Sequence, residues 1–365
     1  MNMKLDPIDK AIAEIAAGRP VIVVDDEDRE NEGDLVMAAS KATPEWVGFI
    51  VRYTGGVLCA PMPHDEARRL QLWPMVNEND APLATAFTVS VDVKAGLTTG
   101  ISAGERCNTI RALADPASLP ADFARPGHIF PLIAREGGVL IRTGHTEAAV
   151  DLARLAGLHP VGLVSEIVND DGSVKKGREI EDFATEHDLA LVSIDDLIAY
   201  RQQRETLINR LSESPVETAI GPARAIVYGT PFDAAEHLVL IFGEIGDGGG
   251  ILTRLQREDV VCDVFNAPAG AITASLERIA GDGRGIVVYL RHGAAGVAAA
   301  NRGGRGEGAQ SVASREEQWR EIGLGAQILK DLGVSSIRVL GTKERQYIGL
   351  AGFGVEIIAT ELIEG

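Results

Sequence analysis

The chain has 365 residues and a formal net charge of −18, with 45% hydrophobic and 24% charged residues. This size and composition fit a globular protein of two domains, and the negative charge argues against a binder of nucleic acids or anionic membranes. Three widely spaced cysteines and the lack of a long apolar run exclude a disulfide framework and a membrane helix, which favours a cytoplasmic protein.

Short strand-like and helix-like segments alternate through the first part of the chain. An amphipathic helix is predicted to start at Asp6, as its N-cap, and to end at Gly18. Strands are predicted at VIVV, GVLCA, FTVSVDV, GGVLIR and PVGLVSEIV. Helices are predicted at EWVGFIVRY, HDEARRLQL, EAAVDLARLAG and REIEDFATEH. This mixture predicts an α/β (α+β) domain over residues 1–204.

A second domain is predicted at residues 221–365, after a polar, helix-prone stretch that we interpret as a linker at 205–220. Its predicted strands are ARAIVYGT, HLVLIFGEI and GIVVYLRH, and its predicted helices are AITASLERIAGDG, EIGLGAQILKDLG and ERQYIGLAGFG. The segment GAAGVAAANRGGRGEGAQS, rich in Gly and Ala, is predicted to be a loop. The second domain is therefore also expected to be α/β.

The decapeptide DDEDRENEGD, at residues 25–34, places seven carboxylates and one arginine between two strand-like runs. Clustered carboxylates destabilise one another unless a cation or shared protons relieve them, and their oxygens suit Mg²⁺. A solvated acidic turn is the simpler interpretation. Metal binding or acid–base use and this simpler interpretation remain equally open at this point.

The segment RTGHT, at residues 142–146, joins a predicted strand to a predicted helix. Backbone N–H groups at a helix start, together with Arg142 and Thr146, make an anion cradle, and His145 can bind a metal. Thr146 as a simple N-cap and His145 as a structural histidine are the alternatives.

Two further segments, RPGHIFPL and SEIVNDDG, contain His128 and Glu166, either of which can act as a general acid or base. A structural hydrogen bond is the alternative for His128, and NDDG is best interpreted as a hairpin turn. Together the segments indicate a metal-dependent enzyme that acts on a small phosphorylated substrate, with the reaction left open.

These segments, with TTGISAGER, resemble the motifs of 3,4-dihydroxy-2-butanone 4-phosphate synthase of riboflavin biosynthesis, over about residues 8–201. The resemblance implies a lyase that converts D-ribulose 5-phosphate to L-3,4-dihydroxy-2-butanone 4-phosphate and releases the fourth carbon as formate. It also implies Mg²⁺, with Mn²⁺ as a substitute and no zinc, and a homodimer whose subunits complete each other's sites. A non-catalytic sugar-phosphate binder is the competing interpretation.

The resemblance also assigns roles to residues. Glu30 and His145 are expected to bind the metal. Proton transfer is expected from His128, Glu166, Glu32 and Asp34. Substrate contacts are expected from Arg29, Glu30, Asp34, Arg142, Thr143, Gly144, His145, Thr146 and Glu166. Cys59 falls where the family often has a cysteine, and no step is assigned to it.

The region from about residue 221 resembles GTP cyclohydrolase II but lacks its zinc ligands. That family binds catalytic Zn²⁺ with three cysteines, whereas this region contains Cys262 alone, and His237 and His292 cannot rebuild the set. We therefore expect a domain without cyclohydrolase activity. Its role is expected to be structural or dimer-stabilising; a regulatory nucleotide-binding module and an enzyme of altered chemistry are the alternatives, in that order.

Overall fold

The computed structural model describes residues 3–26, 29–231, 235–259, 263, 270–291, 323–342 and 354–363. The chain divides into two compact units, Met1–Tyr200 and Arg201–Gly365. In the described part of the chain, each unit is built on a seven-stranded sheet accompanied by helices. The predicted α/β (α+β) class is therefore confirmed for both units.

The first unit is built on a mixed sheet. Its strands are β1 (Val21–Val24), β2 (Gly33–Ala38), β3 (Cys59–Met62), β4 (Val91–Val93), β5 (Phe123–Ile133), β6 (Gly162–Glu166) and β7 (Leu191–Ser193). Their order is β4-β5-β3-β6-β2-β1-β7. Strand β2 pairs antiparallel with both β1 and β6, whereas β1–β7 and β3–β5 are parallel pairs. Every residue of β1 and β2 is buried, so both faces of the sheet are covered at its centre.

Helices surround this sheet. They are α1 (Ile8–Ala17), α2 (Pro44–Tyr53), α3 (His64–Arg69), α4 (Ala103–Leu113), α5 (His145–Leu155), α6 (Arg178–Glu186) and α7 (Ile194–Arg204), with short 3-10 helices at Ala39–Lys41, Pro120–Asp122 and Gly138–Leu140. Gly18 ends α1 in the left-handed conformation, as predicted. The predicted N-cap Asp6 is wrong, because Pro7 holds that position and the Asp6 carboxylate instead accepts hydrogen bonds from Lys10 Nζ and Leu191 N.

Helix α5 is almost wholly enclosed, with every residue from His145 to Ala153 buried. Small residues allow this packing: a Cβ on Gly162 of β6 would lie 2.8 Å from Ala149 Cβ, so the helix lies directly against the strand. The buried Asp151 carboxylate is satisfied in part by Val139 N, which donates to Oδ2 at 2.8 Å. At the N-terminus of α5, the ring of His145 reaches Val23 of β1.

Two segments of the first unit differ from their predicted form. GGVLIR is not a strand: Gly137 and Gly138 have positive φ angles of 90° and 63°, and the chain turns into the 3-10 helix Gly138–Leu140. RPGHIFPL, which is not among the predicted strands, is part of strand β5. The NDDG turn is confirmed, because Asn169 N donates to Ser173 O at 2.7 Å.

The second unit has its own sheet. Its strands are β8 (Asn209–Thr218), β9 (Gly221–Gly229), β10 (Glu236–Phe242), β11 (Ile251–Arg257), β12 (Gly285–Leu290), β13 (Ser336–Gly341) and β14 (Glu356–Leu362), with helix α8 (Ala271–Asp282) and a helical segment at 323–331. Their order is β14-β13-β11-β12-β10-β9-β8. Phe242, Leu252, Ile279 and Leu340 belong to its buried core. Cys262, His292, the predicted loop at 293–311 and most of the predicted helix ERQYIGLAGFG lie outside the described residues.

The predicted linker at 205–220 is wrong for residues 209–218. These residues form β8, which pairs antiparallel with β9 at the edge of the second sheet. The strand is exposed over most of its length, and Pro215 is tolerated because an edge strand has a row of N–H groups that need no partner. A polar edge strand lacks the apolar alternation that identifies strands in a sequence.

In the described part of the chain, no helix combines the length and the apolar character that spanning a bilayer requires.

Candidate active site

The acidic loop between β1 and β2 is organised by Asp25, whose side chain is 1% exposed. Asp25 Oδ2 accepts hydrogen bonds from Arg29 Nη1 at 2.8 Å and from Glu30 N at 3.0 Å. Its Oδ1 accepts from Glu32 N at 3.0 Å. Both oxygens are therefore used to fold the loop, and the carboxylate directs Glu30 and Glu32 without needing a cation of its own. Glu27 and Asp28 lie outside the described residues.

Glu30 and His145 face each other across this loop, with Glu30 Oε2 3.7 Å from His145 Nδ1. His145 Nε2 lies 3.1 Å from the carbonyl oxygen of Val23, so Nε2 carries a proton and donates it. Nδ1 is consequently the ring nitrogen turned toward Glu30. Arg29 contacts the same carboxylate.

The electrostatics of this pair favour opposite charges on its two members. Burial opposes ionisation of Glu30, but hydrogen bonds and charge from His145 and Arg29 outweigh it and lower its pKa to about 2. Burial would lower the pKa of His145, yet Asp34, Glu30 and Asp25 raise it above its ordinary value. The arrangement is a strongly anionic pocket in which a cation is stabilised.

The pair has the spacing of two ligands of one divalent ion. Mg²⁺ binds at about 2.0–2.1 Å in octahedral geometry, so adjacent ligands lie roughly 2.9 Å apart and opposite ligands roughly 4.1 Å apart; the observed 3.7 Å lies between these two values. Asp25, Glu30 and His145 offer ligand atoms within 4.8 Å of one another. Nearby, the buried Asp34 Oδ1 has no hydrogen-bond partner among the described residues. An orphaned buried oxygen beside two ligand-type side chains fits a site that binds a cation or a polar substrate.

Asp34 and Glu166 are brought together by strand pairing, because they are directly opposite each other in the register of β2 and β6. Burial raises the pKa of Asp34, and the charges of Glu166, Glu32 and Glu30 raise it further against the opposing effect of His145. Burial also raises the pKa of Glu32, with a contribution from Glu30. The site thus contains one strongly ionised carboxyl group and two that hold protons at higher pH than usual.

The RTGHT segment supplies the second half of the site. Arg142 Nη1 donates to Glu147 Oε2 at 2.7 Å, and Nη2 donates to Leu83 O at 3.1 Å and to Thr85 Oγ1 at 3.3 Å. Gly144 is the N-cap of α5 and has no side chain to cap it. The amides of the first helical turn therefore have no side-chain cap, and amides of this kind can bind an anion, beside a guanidinium whose position is fixed.

One cavity of about 100 Å³ collects most of the predicted site residues. It is lined by Arg29, Glu30, Glu32, Asp34, Cys59, Thr85, Phe87, Leu132, Arg142, His145, Thr146, Val164 and Glu166. The predicted substrate residues Thr143 and Gly144 are not part of the lining. Four lining residues were missed by sequence reasoning: Thr85, Phe87, Leu132 and Val164. The first two lie between the recognised motifs, and no charge or spacing signal identifies them.

Cys59 lines the cavity and is 5% exposed. Burial raises the pKa of its thiol well above the ordinary range, and the charges of Glu166 and Asp34 act in the same direction. Burial and the neighbouring carboxylates therefore favour the protonated thiol over the thiolate.

His128 is placed apart from this cavity. It lies on β5, where its Nδ1 is 2.7 Å from Asp92 Oδ2 and its backbone N donates to Asp92 Oδ1 at 2.9 Å. Its side chain is 39% exposed, and it does not line the cavity with Glu166. Its catalytic role stays a prediction.

Comparisons with known proteins agree with this geometry. Residues 9–200 match the family model of 3,4-dihydroxy-2-butanone 4-phosphate synthase, and residues 209–362 match that of GTP cyclohydrolase II. The chain is 46% identical to the riboflavin biosynthesis protein RibBA of Salinispora arenicola, over 96% of this chain and 87% of that protein.

Two solved structures are similar. RibBX from A. baumannii, described as a two domain 3,4-dihydroxy-2-butanone 4-phosphate synthase, is 35% identical with a TM-score of 0.82, over 98% of this chain and 99% of its own. A 3,4-dihydroxy-2-butanone 4-phosphate synthase in complex with two magnesium ions is 42% identical with a TM-score of 0.54, over 55% of this chain and 98% of its own. The chain therefore belongs to the 3,4-dihydroxy-2-butanone 4-phosphate synthase family, as an enzyme of riboflavin biosynthesis whose synthase domain is followed by a GTP cyclohydrolase II domain.

Proposed function

We propose that the first unit converts D-ribulose 5-phosphate to L-3,4-dihydroxy-2-butanone 4-phosphate and formate, with a divalent cation bound by Glu30 and His145. The observation that carries this proposal is that this pair, the carboxyl groups of Asp34 and Glu166, and Arg142 line one cavity. A similar solved synthase holds two magnesium ions, which supports Mg²⁺ as the cation, with Mn²⁺ as its substitute.

The two proposed metal ligands, Glu30 and His145, are already ionised or oriented for metal binding. Glu30 is ionised at any physiological pH, and Arg29 and Asp25 fix its position. His145 presents Nδ1 because its Nε2–H donates a hydrogen bond to Val23 O. A hydrogen bond of this kind typically orients a metal-binding histidine. When bound, Mg²⁺ supplies Lewis-acid polarisation of the carbonyl and hydroxyl oxygens of the substrate.

The phosphate group of the substrate is expected at the N-terminus of α5. The uncapped amides of the first turn and the partial positive charge of the helix attract an anion there. Arg142 lies beside them and is held by Glu147 and Thr85, so it presents its guanidinium without further ordering. Thr146 lines the same cavity.

Proton transfers are assigned to the carboxyl groups beside the metal pair. Enolisation, dehydration, a shift of the carbon skeleton and the loss of formate each move protons, so groups that differ in pKa are needed. Asp34 and Glu32, with raised pKa values, can hold protons that the ionised Glu30 cannot. Glu166 lies opposite Asp34 and can exchange protons with the same part of the substrate.

We further propose that His128 acts in the site of a second copy of the chain, in a homodimer. His128 does not line the cavity of its own unit, although it is half-exposed and held in place. The first unit also exposes large apolar side chains, among them Trp73 (60%), Val76 (53%) and Ile101 (56%). Exposed apolar side chains of this size are available to an interface that a partner covers.

For the second unit we propose a structural or regulatory role without GTP cyclohydrolase activity. The support is compositional: residues 201–365 contain a single cysteine, Cys262, and three thiolates are needed for the zinc site of that family. The curated relatives named RibBA, and one named bifunctional, favour the alternative that this domain binds GTP or retains activity. Incubation with GTP and zinc, followed by chromatography, tests for retained activity, because only an active cyclohydrolase domain yields a product.

The synthase proposal is tested by formate release from D-ribulose 5-phosphate. We expect formate with Mg²⁺ and none after EDTA, and recovery when Mg²⁺ is restored. A protein that binds ribulose 5-phosphate in a Mg²⁺-dependent manner but releases no formate would instead be a sugar-phosphate binder.

A further inference from the structure

We propose that Asp92 is a positioning residue for His128, which it locks in one tautomer and one ring orientation. This inference deepens the proposed function, because it takes His128 as a proton-transfer residue of the synthase reaction. It concerns Asp92 on β4, which lies outside the cavity and carries no assigned role.

Asp92 binds His128 through both of its carboxylate oxygens. Oδ1 accepts from the backbone N–H of His128 at 2.9 Å, and Oδ2 lies 2.7 Å from Nδ1 of the imidazole ring. A carboxylate only accepts hydrogen bonds, so Nδ1 carries the proton of the neutral ring. Nε2 is then the unprotonated nitrogen, and it makes no hydrogen bond with the described residues.

The dyad formed by Asp92 and His128 is built into the fold. The Asp92 side chain is 5% exposed, whereas that of His128 is 39% exposed, so the anchor is buried and the ring is accessible. The cation Arg106, which is 7% exposed, interacts electrostatically with Asp92. A buried carboxylate that orients a half-exposed imidazole is the arrangement that prepares a histidine for general acid–base catalysis.

Gly100, within the TTGISAGER motif, closes over the dyad. A Cβ at this position would lie 2.6 Å from His128 Nδ1 and would also overlap Asp92 Oδ2, and the glycine has a left-handed φ of +84°. A side chain at this position would therefore displace one member of the dyad, and glycine leaves room for the hydrogen bond between them. This gives the motif a physical role that its sequence did not reveal.

The substitution Asp92→Asn tests the tautomer directly. The backbone N–H of His128 still needs an acceptor, so the asparagine oxygen stays at the Oδ1 position and its NH₂ group takes the Oδ2 position. That NH₂ donates to Nδ1, which must then give up its proton, and the neutral ring moves its proton to Nε2. The shape of the site is preserved while the tautomer is reversed.

Ser90→Ala is the matched control. Ser90 Oγ accepts a hydrogen bond from Gly127 N at 3.1 Å, so it supports the backbone next to His128 without touching the ring. A purely structural role for Asp92 predicts that both variants behave alike. The positioning role predicts that Asp92→Asn alone changes the tautomer and the turnover.

The experiment uses the full chain with ¹⁵N-labelled histidine, and His128 is assigned by comparison with His128→Gln. At a pH where the ring is neutral, we expect protonated Nδ1 in the wild type and in Ser90→Ala, and protonated Nε2 in Asp92→Asn. For formate release with Mg²⁺, we expect kcat to fall about 100-fold or more in Asp92→Asn with KM nearly unchanged.

Two outcomes would overturn the inference: protonated Nε2 in the wild type, or a kcat in Asp92→Asn close to that of Ser90→Ala. The wild-type spectrum shows which nitrogen of His128 is protonated even if Asp92→Asn does not fold. If the wild type releases no formate, the proposed function fails, but the NMR measurement still shows whether Asp92 fixes the tautomer of His128.

Discussion

Gly144→Ala should disable the phosphate cradle without altering the backbone. Gly144 has φ −110°, which alanine adopts freely, so the substitution acts through its Cβ alone. That Cβ would overlap Arg142 Nη1 and lie 2.8 Å from Glu147 Oε2. The guanidinium would have to retreat by about 1 Å to reach a normal van der Waals separation.

This displacement strains the ion pair between Arg142 and Glu147 and moves the guanidinium away from the anion. Hydrogen bonds to charged groups contribute about 1.5–3 kcal/mol each, so kcat/KM for ribulose 5-phosphate should fall about 10- to 100-fold. The assay is initial-rate formate release over a range of substrate concentrations. Gly48→Ala in α2 is the control, because its Cβ meets only Ala103 Cβ at an ordinary 3.8 Å. A Gly144→Ala enzyme within about threefold of this control would refute the cradle.

Three further predictions concern the two proposed metal ligands, the pH dependence of Mg²⁺ binding and the second unit. Glu30→Ala and His145→Ala should each abolish formate release and weaken Mg²⁺ binding in titrations while circular dichroism shows a folded protein; near-normal turnover in either would remove that ligand. His145 has a raised pKa and must lose its proton to bind a metal. Mg²⁺ affinity should therefore increase with pH through the neutral range, by up to about tenfold per pH unit, and calorimetry should detect the release of a proton on binding. A pH-independent affinity would contradict this prediction. GTP should yield no cyclohydrolase product with or without added zinc, whereas detectable product would show an active second domain.

The two halves of the site could be predicted from sequence because each has a strong local signal. The carboxylates of the acidic loop and the histidine of RTGHT are concentrated in short motifs, and the strands that flank the acidic loop are apolar. The two motifs lie more than a hundred residues apart in the chain, and the family resemblance predicts that they share one site. The structure adds its physical basis, namely the N-terminus of the enclosed helix α5 reaching the end of β1 through His145 and Val23.

What the sequence could not provide are features set by tertiary contacts. GGVLIR has the composition of a strand, but two glycines with positive φ and the Asp151 carboxylate turn it into a 3-10 helix. Thr85 and Phe87 reach the cavity because Arg142 holds the chain near Thr85, a contact with no local signature. Residues 209–218 form an edge strand whose polar exterior resembles a linker.

In the acidic loop, residues of the same chemical type have different roles. Its excess of carboxylates suggested a cation or shared protons, and the structure separates the two uses by position. Both carboxylate oxygens of Asp25 accept hydrogen bonds from the loop backbone, Glu30 is ionised beside His145, and Asp34 is buried with a raised pKa. Equivalent carboxyl groups in the sequence are thus made different by burial and by their neighbours.

The most direct test of the account uses D-ribulose 5-phosphate labelled with ¹³C at its fourth carbon, incubated with the purified protein and Mg²⁺ and followed by ¹³C NMR. We predict that the label appears in formate in the wild type and that no formate signal develops with Glu30→Ala. Label that stays in unchanged substrate, or that is recovered in a four-carbon product, would contradict the proposed reaction.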